Sequence, residues 1–180
     1  MNVLLFGATG MVGQGVLREC LLDPGVQQVL SLVRTPTAQQ HPKLRELVAS
    51  DFFDLTPLAS ELTGFDACFF SLGVSSAGMA EQPYYHLTYD LTLAAAQLLF
   101  RLNPGMTFIY VSGASTDSTE KGRIMWARVK GKTENALLAL PFKAAYMFRP
   151  GFIQPLHGVK SKTKAYQIIY AVASPLIPLL

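Results

Sequence analysis

Short apolar runs alternate along this chain with longer stretches in which apolar residues recur at the spacing of one helix face. The runs predict six strands, at 3–7, 27–34, 46–50, 66–73, 106–113 and 143–151. The stretches between them predict helices, at 11–22, 54–62, 83–102 and 124–140. Regular alternation of strand and helix is typical of an α/β protein of Rossmann type. We therefore expect a doubly wound parallel sheet with helices on both faces, and ligands at the carboxyl ends of its strands.

The first expected strand runs directly into three glycines spaced three apart, Gly7, Gly10 and Gly13. A tight strand-to-helix turn needs a residue without a Cβ. A second glycine lets the backbone approach a pyrophosphate, and a third lets helix and strand pack closely. The helix N-terminus then offers free N–H groups and a partial positive charge to the phosphates. The pattern predicts a bound dinucleotide, with a purely structural turn or another phosphate ligand as the alternative.

The end of the second expected strand bears on which dinucleotide is bound. In NAD-binding Rossmann units an Asp or Glu there, about 20 residues past the glycines, holds the ribose hydroxyls. This chain has the stretch SLVRTPT, with Arg34 and no acid. A guanidinium is a planar, multi-donor partner for a 2′-phosphate, which favours NADP(H) over NAD(H). The alternative is that Arg34 is a solvated cation at a strand end.

Together these features resemble the short-chain dehydrogenase/reductase superfamily, in the extended or atypical branch that includes epimerase/dehydratase-like and NmrA-like proteins. The stretch GATGMVG matches the glycine spacing of that branch. Asp51-Phe52 resembles its adenine contact, and Leu72-Gly73 resembles the segment beneath the adenine ribose. Arg149-Pro150-Gly151 resembles the motif near the nicotinamide. The cofactor contacts that the resemblance implies are Gly7, Ala8, Thr9, Gly10, Met11, Val12, Gly13, Arg34, Asp51, Phe52, Leu72, Gly73, Lys130, Arg149, Pro150 and Gly151.

The resemblance also implies a serine after the fifth strand and a Y-x-x-x-K motif on the next helix, where the tyrosine is the acid/base. The matching stretch here is W-A-R-V-K, which keeps the lysine as Lys130 and has Trp126 at the tyrosine position. Their i, i+4 spacing places both on one helix face, and Lys130 is implied to bind the nicotinamide ribose. Ser112 is the expected catalytic serine, with Ser115 as the alternative. An indole is no acid or base at neutral pH, so the proton donor is expected to be non-standard.

Three hypotheses about function remain open. The first is an NADP-dependent oxidoreductase or epimerase-like enzyme on an unknown small molecule, whose proton comes from Ser112, Tyr85, His86, Tyr89 or water. Hydride transfer is the cofactor's own chemistry and does not require the tyrosine. The second is a dinucleotide-binding redox sensor or regulator without turnover. The third is a structural or interaction protein with a vestigial glycine turn.

The implied domain organisation is a dinucleotide-binding domain over 1–155 and a short C-terminal segment, 156–180, that forms part of an incomplete substrate-binding region. The stretch 165–180 is uncharged, yet it is short for a membrane-spanning helix and is interrupted by prolines. A helix packed on the domain is expected there. A membrane-associated tail, or a chain that stops before its fold is complete, is the alternative. The resemblance further implies a homodimer through the helix at 83–102.

The composition of the chain limits which classes of protein and of site remain possible. Half of the residues are hydrophobic and 15% are charged, which supplies a sizeable core and argues against disorder. A net charge of +3 is too small to indicate nucleic-acid binding. The histidines have no metal-ligand spacing, so we expect no metal site. Cys20 and Cys68 lie in apolar runs and are expected to be buried thiols of a reducing compartment. With no signal-peptide pattern, we expect a cytoplasmic protein.

Overall fold

The structure of the protein, a computed structural model, describes residues 1–156. The expectations for the apolar stretch 165–180 and for nearly all of the segment 156–180 concern residues outside the described part. Within the described part, six strands form one sheet with parallel pairing throughout, in the order β3-β2-β1-β4-β5-β6. The strands are β1 Asn2–Phe6, β2 Gln28–Val33, β3 Leu44–Val48, β4 Ala67–Phe70, β5 Thr107–Val111 and β6 Ala144–Phe148.

Helical segments connect most of these strands. They are α1 Met11–Leu22, a 3₁₀ helix Thr56–Leu62, α2 Glu81–Tyr85, a π-helical segment His86–Asp90, α3 Leu91–Leu102 and α4 Met125–Leu138. The helix expected at 83–102 is observed, because α2, the π-helical segment and α3 follow one another without a break in right-handed helical conformation. The helix expected at 54–62 is a 3₁₀ helix. The third strand lies two residues earlier than expected. The expected strands at 66–73 and 143–151 end earlier, because the chain leaves the sheet at Ser71 and Arg149 to form the site.

Apolar residues of the sheet pack against helices on both of its faces. In β1, Leu4 and Phe6 belong to a core that includes residues of the 3₁₀ helix, α3 and α4. Val3 and Leu5 alternate with them and pack toward α1 in a second core, which contains Leu17. A strand that is buried on both faces is expected to be a continuous apolar run, as β1 is. The predicted Rossmann-type doubly wound sheet is confirmed.

The strand order places a crevice at the centre of the sheet. From β1 the chain winds outward to β2 and β3, and then returns to β4 on the other side of β1 before continuing to β5 and β6. The connections that leave β1 and β4 therefore diverge to opposite faces, and their carboxyl ends border a gap where open α/β sheets bind ligands. The glycine turn follows β1 at this gap.

Candidate functional site

The glycine turn after β1 is packed so closely that Gly7 and Gly13 have no room for a side chain. Gly7 has φ +83°, and a Cβ on it would lie 2.8 Å from the backbone of Ser71 at the end of β4. A Cβ on Gly13 would lie 2.0 Å from the carbonyl oxygen of Gly7. The N–H of Gly10 donates to that same oxygen at 2.9 Å. Gly7 therefore meets a conformational and a steric requirement, and Gly13 lets α1 pack against the turn.

The N-terminus of α1 opens from this turn and suits an anionic group. Gly10 is the N-cap residue, and no side chain caps the helix there. The first N–H groups of a helix have no partner within the helix, and the helix dipole adds a partial positive charge. Met11 and Val12, in the first turn of α1, line the adjoining cavity. A turn in which Gly7 and Gly10 have no Cβ and an uncapped 12-residue helix fit the pyrophosphate of a dinucleotide.

A cavity of about 640 Å³ lies at the carboxyl ends of β1, β4, β5 and β6. This volume lies within the range of about 300 to 1,000 Å³ that is typical of small-molecule and cofactor sites. The residues that line it come from the end of β5, from the loops after these strands, and from α1, α2 and α4. They are Gly10, Met11, Val12, Ser71, Leu72, Gly73, Val74, Ser75, Ser76, Tyr84, Val111, Ser112, Gly113, Ala114, Trp126, Lys130, Pro150, Gly151, Phe152 and Ile153. The predicted serine, the tryptophan and the lysine thus share one cavity with part of the glycine turn.

Lys130 and Trp126 lie one helical turn apart on the face of α4 that borders the cavity. The Lys130 ammonium donates a long hydrogen bond of 3.4 Å to the carbonyl of Val111 and lies 5.2 Å from the ring centroid of Tyr110. Burial lowers the pKa of Lys130 to about 8, and the nearby Glu134 carboxylate opposes that shift. The Trp126 ring lies beside Gly113, since a Cβ there would be 3.7 Å from the indole. Lys130 is therefore the titratable member of the pair.

The hydroxyl proton of Ser112 is already used in a hydrogen bond within the protein. Ser112 Oγ and Thr116 Oγ1 are 3.0 Å apart, and Thr116 Oγ1 donates its own proton to the carbonyl of Gly113 at 2.7 Å. A hydroxyl has one proton, so Ser112 is the donor in its contact with Thr116. Its lone pairs remain to accept a hydrogen bond from a ligand. As arranged here, Ser112 can orient a ligand hydroxyl, and it would have to break a bond to donate a proton.

The three predicted residues after β6 have two different environments. Arg149 binds both carboxylate oxygens of Glu134 and donates to Ser118 Oγ at 2.6 Å. Glu134 is 1% exposed, and its carboxylate raises the pKa of Arg149. This ion pair fastens the end of β6 to α4 and occupies the guanidinium, whereas Pro150 and Gly151 line the cavity. The cofactor contact of Arg149 stays a prediction.

Of the residues predicted for the adenosine half, Arg34, Asp51 and Phe52 follow β2 and β3 and lie outside the lining of the cavity. Arg34 follows β2, is exposed, and has no hydrogen bond or ion pair to any of the residues 1–156. Asp51 accepts the N–H of Phe53 at 2.7 Å, and Phe52 packs edge-on to Phe6 with centroids 6.2 Å apart. Leu72 and Gly73, by contrast, line the cavity. Arg34 is therefore free to meet a ligand that extends past the glycine turn.

The proton donors proposed from the helix at 83–102 lie elsewhere. Tyr85 and Tyr89 stack on each other at 4.7 Å with the Lys132 ammonium over both rings. His86 is exposed; its ring stacks on Phe53 at 4.3 Å and contacts the Asp90 carboxylate at 2.9 Å. None of the three lines the cavity.

Sequence reasoning missed Tyr84, which is buried and lines the cavity beside the predicted site residues. The only signal in the sequence was that Tyr84 directly precedes Tyr85, which was one of the expected proton donors. Neighbouring residues of a helix point about 100° apart, so only the rotation of α2 about its axis decides which tyrosine meets the cavity.

The described part of the chain lacks the features of a metal centre and of a membrane-spanning helix. Residues 1–156 contain no group of three or more His, Cys, Asp or Glu side chains arranged to hold a metal ion. None of the helices in that range combines the length and the apolar character needed to cross a bilayer. The thiols of Cys20 and Cys68 are both free and buried, and burial raises the pKa of each.

Similarity to curated proteins points to one group of relatives, although no family model matches the sequence. The chain is 32% identical over 158 residues to protein fmp52, mitochondrial, of Emericella nidulans, covering 84% of this chain and 66% of that protein. It is 30% identical over 170 residues to protein FMP52, mitochondrial, of Saccharomyces cerevisiae, covering 91% of this chain and 69% of that protein. The chain thus spans about two thirds of the length of these relatives.

The names of these relatives contradict the predicted cytoplasmic location, because both are mitochondrial proteins. The prediction was wrong because its evidence was not specific. A signal-peptide pattern reports secretion, so its lack does not distinguish one intracellular compartment from another. Reduced thiols likewise exclude only oxidising compartments.

Solved structures with the same fold include dinucleotide complexes. MoeE5 in complex with UDP-glucose and NAD has a TM-score of 0.65 at 18% identity, covering 83% of this chain and 54% of that one. A short chain dehydrogenase from Burkholderia cenocepacia in complex with NADP has a TM-score of 0.64 at 16% identity, covering 86% and 73%. At this level of identity the likeness shows the fold alone, and the predicted resemblance to short-chain dehydrogenase/reductase proteins is confirmed for the fold.

Proposed function

The chain belongs to the family of the Fmp52 proteins, and from that premise we propose that it binds NADP(H) and catalyses an oxidoreductase or epimerase-like reaction on a small molecule. The observation that carries the proposal is the shared cavity. The uncapped N-terminus of α1, the lysine of α4 and the serine after β5 all border one space at the switch point of the sheet. A bound nicotinamide dinucleotide would supply hydride transfer. The chain would supply binding, orientation and a proton.

Each part of the site has a role in this proposal. The glycine turn and the first amides of α1 hold the pyrophosphate, and Lys130 binds the nicotinamide ribose. Ser112 accepts a hydrogen bond from a ligand hydroxyl, because its own proton goes to Thr116. Leu72, Gly73, Pro150 and Gly151 line the walls. Trp126, at the usual tyrosine position, contributes an apolar wall and cannot serve as an acid.

The preference for NADP(H) over NAD(H) rests on Arg34. This residue is exposed directly after β2, where an NAD-binding unit would have an acid. Its guanidinium has no hydrogen bond or ion pair to the described residues. Structural neighbours have been solved with NAD and with NADP, so their titles favour neither cofactor. A charge-assisted hydrogen bond contributes about 1.5 to 3 kcal/mol, and we expect Arg34→Ala to weaken NADPH binding about tenfold or more.

Calorimetric titration with NADPH and NADH tests both the binding and the preference. Arg34→Ala should lose affinity for NADPH and keep its affinity for NADH. Arg101→Ala is the matched control: Arg101 is also exposed, at the end of α3 and at the opposite edge of the sheet. Equal losses for both cofactors in Arg34→Ala would refute the 2′-phosphate contact. A wild-type protein that binds no dinucleotide would refute the proposal as a whole.

Incubation with NADPH and a panel of small carbonyl compounds tests turnover, read as loss of the reduced-nicotinamide absorbance. A second candidate, a dinucleotide-binding redox sensor or regulator, is favoured by Trp126, which removes the usual acid/base. A sensor should show different affinities for NADPH and NADP⁺ and no turnover with any carbonyl. An enzyme should consume NADPH with at least one compound of the panel.

The names of the Fmp52 relatives support a mitochondrial location for this chain as well. Fractionation of cells that express the tagged full-length protein tests that location. A homodimer, and the absence of nucleic-acid and membrane partners, stay predictions, and light scattering of the purified protein measures the oligomeric state.

A further inference from the structure

The cavity contains a phenol that is independent of the position occupied by Trp126. Tyr84 lies on α2 and is 2% exposed, and it lines the same cavity as Lys130 and Ser112. It is the one tyrosine of residues 1–156 that does so. A tyrosine and a lysine therefore still meet at this cavity, although they come from two helices and not from one.

Tyr110 connects the two residues in space. The Lys130 ammonium lies 5.2 Å from the Tyr110 ring centroid. Burial raises the pKa of Tyr110 well above its usual value, and a negative charge on Tyr84 raises it further. Tyr84 and Lys130 are thus both close to Tyr110, and both line the same cavity.

The helix that carries Tyr84 is fixed against α4. Arg128 of α4 donates to the Glu81 carboxylate of α2 at 2.7 Å and also to the carbonyl of Gly122. The phenol itself lies beside the side chain of Thr88 one turn later, and burial outweighs this contact and raises the pKa of Tyr84. Tyr84 is therefore protonated at neutral pH and is held by its surroundings, as a proton donor has to be.

The other polar groups of the cavity are less suited to donate a proton. The proton of Ser112 goes to Thr116. Ser71, Ser75 and Ser76 also line the cavity, and Ser71 Oγ is buried without a hydrogen-bond partner among the described residues, but these aliphatic hydroxyls are weaker acids than a phenol. Lys130 already donates to the carbonyl of Val111, and it is assigned above to the nicotinamide ribose.

We propose that Tyr84 is the proton donor of this site, in place of the tyrosine that relatives of this fold have at the position of Trp126. The inference rests on the proposed dinucleotide-dependent reduction. In that reaction a carbonyl carbon accepts a hydride from a reduced nicotinamide, forming a C–H bond. The π-electron pair of the carbonyl moves to its oxygen, which takes the proton from Tyr84 Oη and becomes a hydroxyl. The nicotinamide is oxidised and the carbonyl is reduced, and the Tyr84 phenolate recovers a proton from water at the cavity mouth.

The experiment compares Tyr84→Phe with Tyr85→Phe, a matched control that removes a hydroxyl from the next residue of α2. Both variants should bind NADPH as the wild type does. Reduction of the best carbonyl of the panel should fall about 100-fold or more in Tyr84→Phe, which is typical for loss of a general acid, and should persist in Tyr85→Phe. In the Tyr84→Phe background, Trp126→Tyr should recover part of the rate by returning a phenol to the cavity.

A second readout does not depend on turnover. With tyrosines labelled at ¹³Cζ, the Tyr84 resonance is identified by its loss in Tyr84→Phe, or by its contact with the Thr88 side chain if that variant does not fold. It should shift when NADP⁺ and the alcohol product are added together, whereas the resonance of the exposed Tyr146 on β6 should not.

An unshifted Tyr84 resonance, or a Tyr84→Phe rate close to that of the wild type, would overturn the inference and leave the proposed function intact. Binding of NADPH without any turnover by the wild type would overturn both the reduction and the role of Tyr84. No binding of dinucleotide at all would overturn the proposed function at its first step.

Discussion

Replacing Gly13 by alanine should disrupt the glycine turn, because its Cβ would meet backbone and not a flexible side chain. The new Cβ would lie 2.0 Å from the Gly7 carbonyl oxygen, 2.6 Å from the Gly7 carbonyl carbon and 3.1 Å from the Ala8 Cα. The first of these contacts is at least 1.4 Å shorter than an ordinary van der Waals contact of 3.4 Å. Overpacking of this kind costs about 3 kcal/mol. Alanine in a helix regains about 1 kcal/mol over glycine, which leaves a net loss of about 2 kcal/mol.

Gly15, two residues further along α1, provides the matched control. A Cβ there would meet nothing within 4 Å, so Gly15→Ala should gain about 1 kcal/mol from helix propensity alone. The two variants should therefore differ by about 3 kcal/mol in unfolding free energy. For a chain of this length 1 kcal/mol corresponds to about 2 to 4 °C in Tm.

Urea unfolding and dinucleotide titration of both variants measure the effect. If the turn opens to admit the new Cβ, Gly13→Ala should also lose at least about tenfold in NADPH affinity, because the α1 amides move away from the pyrophosphate. Gly15→Ala should bind as the wild type does. The reasoning would be refuted if Gly13→Ala were as stable as Gly15→Ala and bound NADPH equally well.

Two further predictions concern the charged side chains Lys130 and Arg149. Lys130→Met should flatten part of the pH dependence of stability. The pKa of Lys130 is about 8 in the folded protein and has its ordinary value of 10.5 in the unfolded chain. Between these two pH values the unfolded chain binds more protons than the folded protein, so the unfolding free energy rises with pH. The destabilisation that the buried lysine causes below pH 8 is therefore relieved across this window. The unfolding free energy of the wild type relative to Lys130→Met should rise by up to about 3 kcal/mol across it, and a constant difference would contradict the assignment. Arg149→Met should cost roughly 2 to 3 kcal/mol, because it leaves the buried Glu134 unpaired, and adding Glu134→Gln should recover most of that loss. If the second substitution recovered nothing in urea unfolding, the ion pair would not be what holds β6 to α4.

Local patterns in the sequence were sufficient for the architecture. Strand-length apolar runs alternating with helical periodicity require a parallel sheet that is covered on both faces, and this sheet is observed. The same patterns did not predict accurately where individual strands begin and end. Whether a residue after the apolar run of β4 stays in the sheet depends on its partners in β1 and β5, which lie far away in sequence. The π-helical turn at His86–Asp90, within the helix expected at 83–102, had no local signal either.

The glycine spacing by itself determined the turn, because the demands on Gly7 and Gly13 arise between residues that are close in the chain or adjacent in the sheet. The i, i+4 spacing likewise placed Lys130 and Trp126 together at the cavity. Tertiary structure alone decided the partners of the other site residues. It paired Arg149 with Glu134, and it turned Tyr84 and not Tyr85 toward the cavity. These choices depend on the rotation and position of one helix against another, which long-range packing sets and local sequence does not encode.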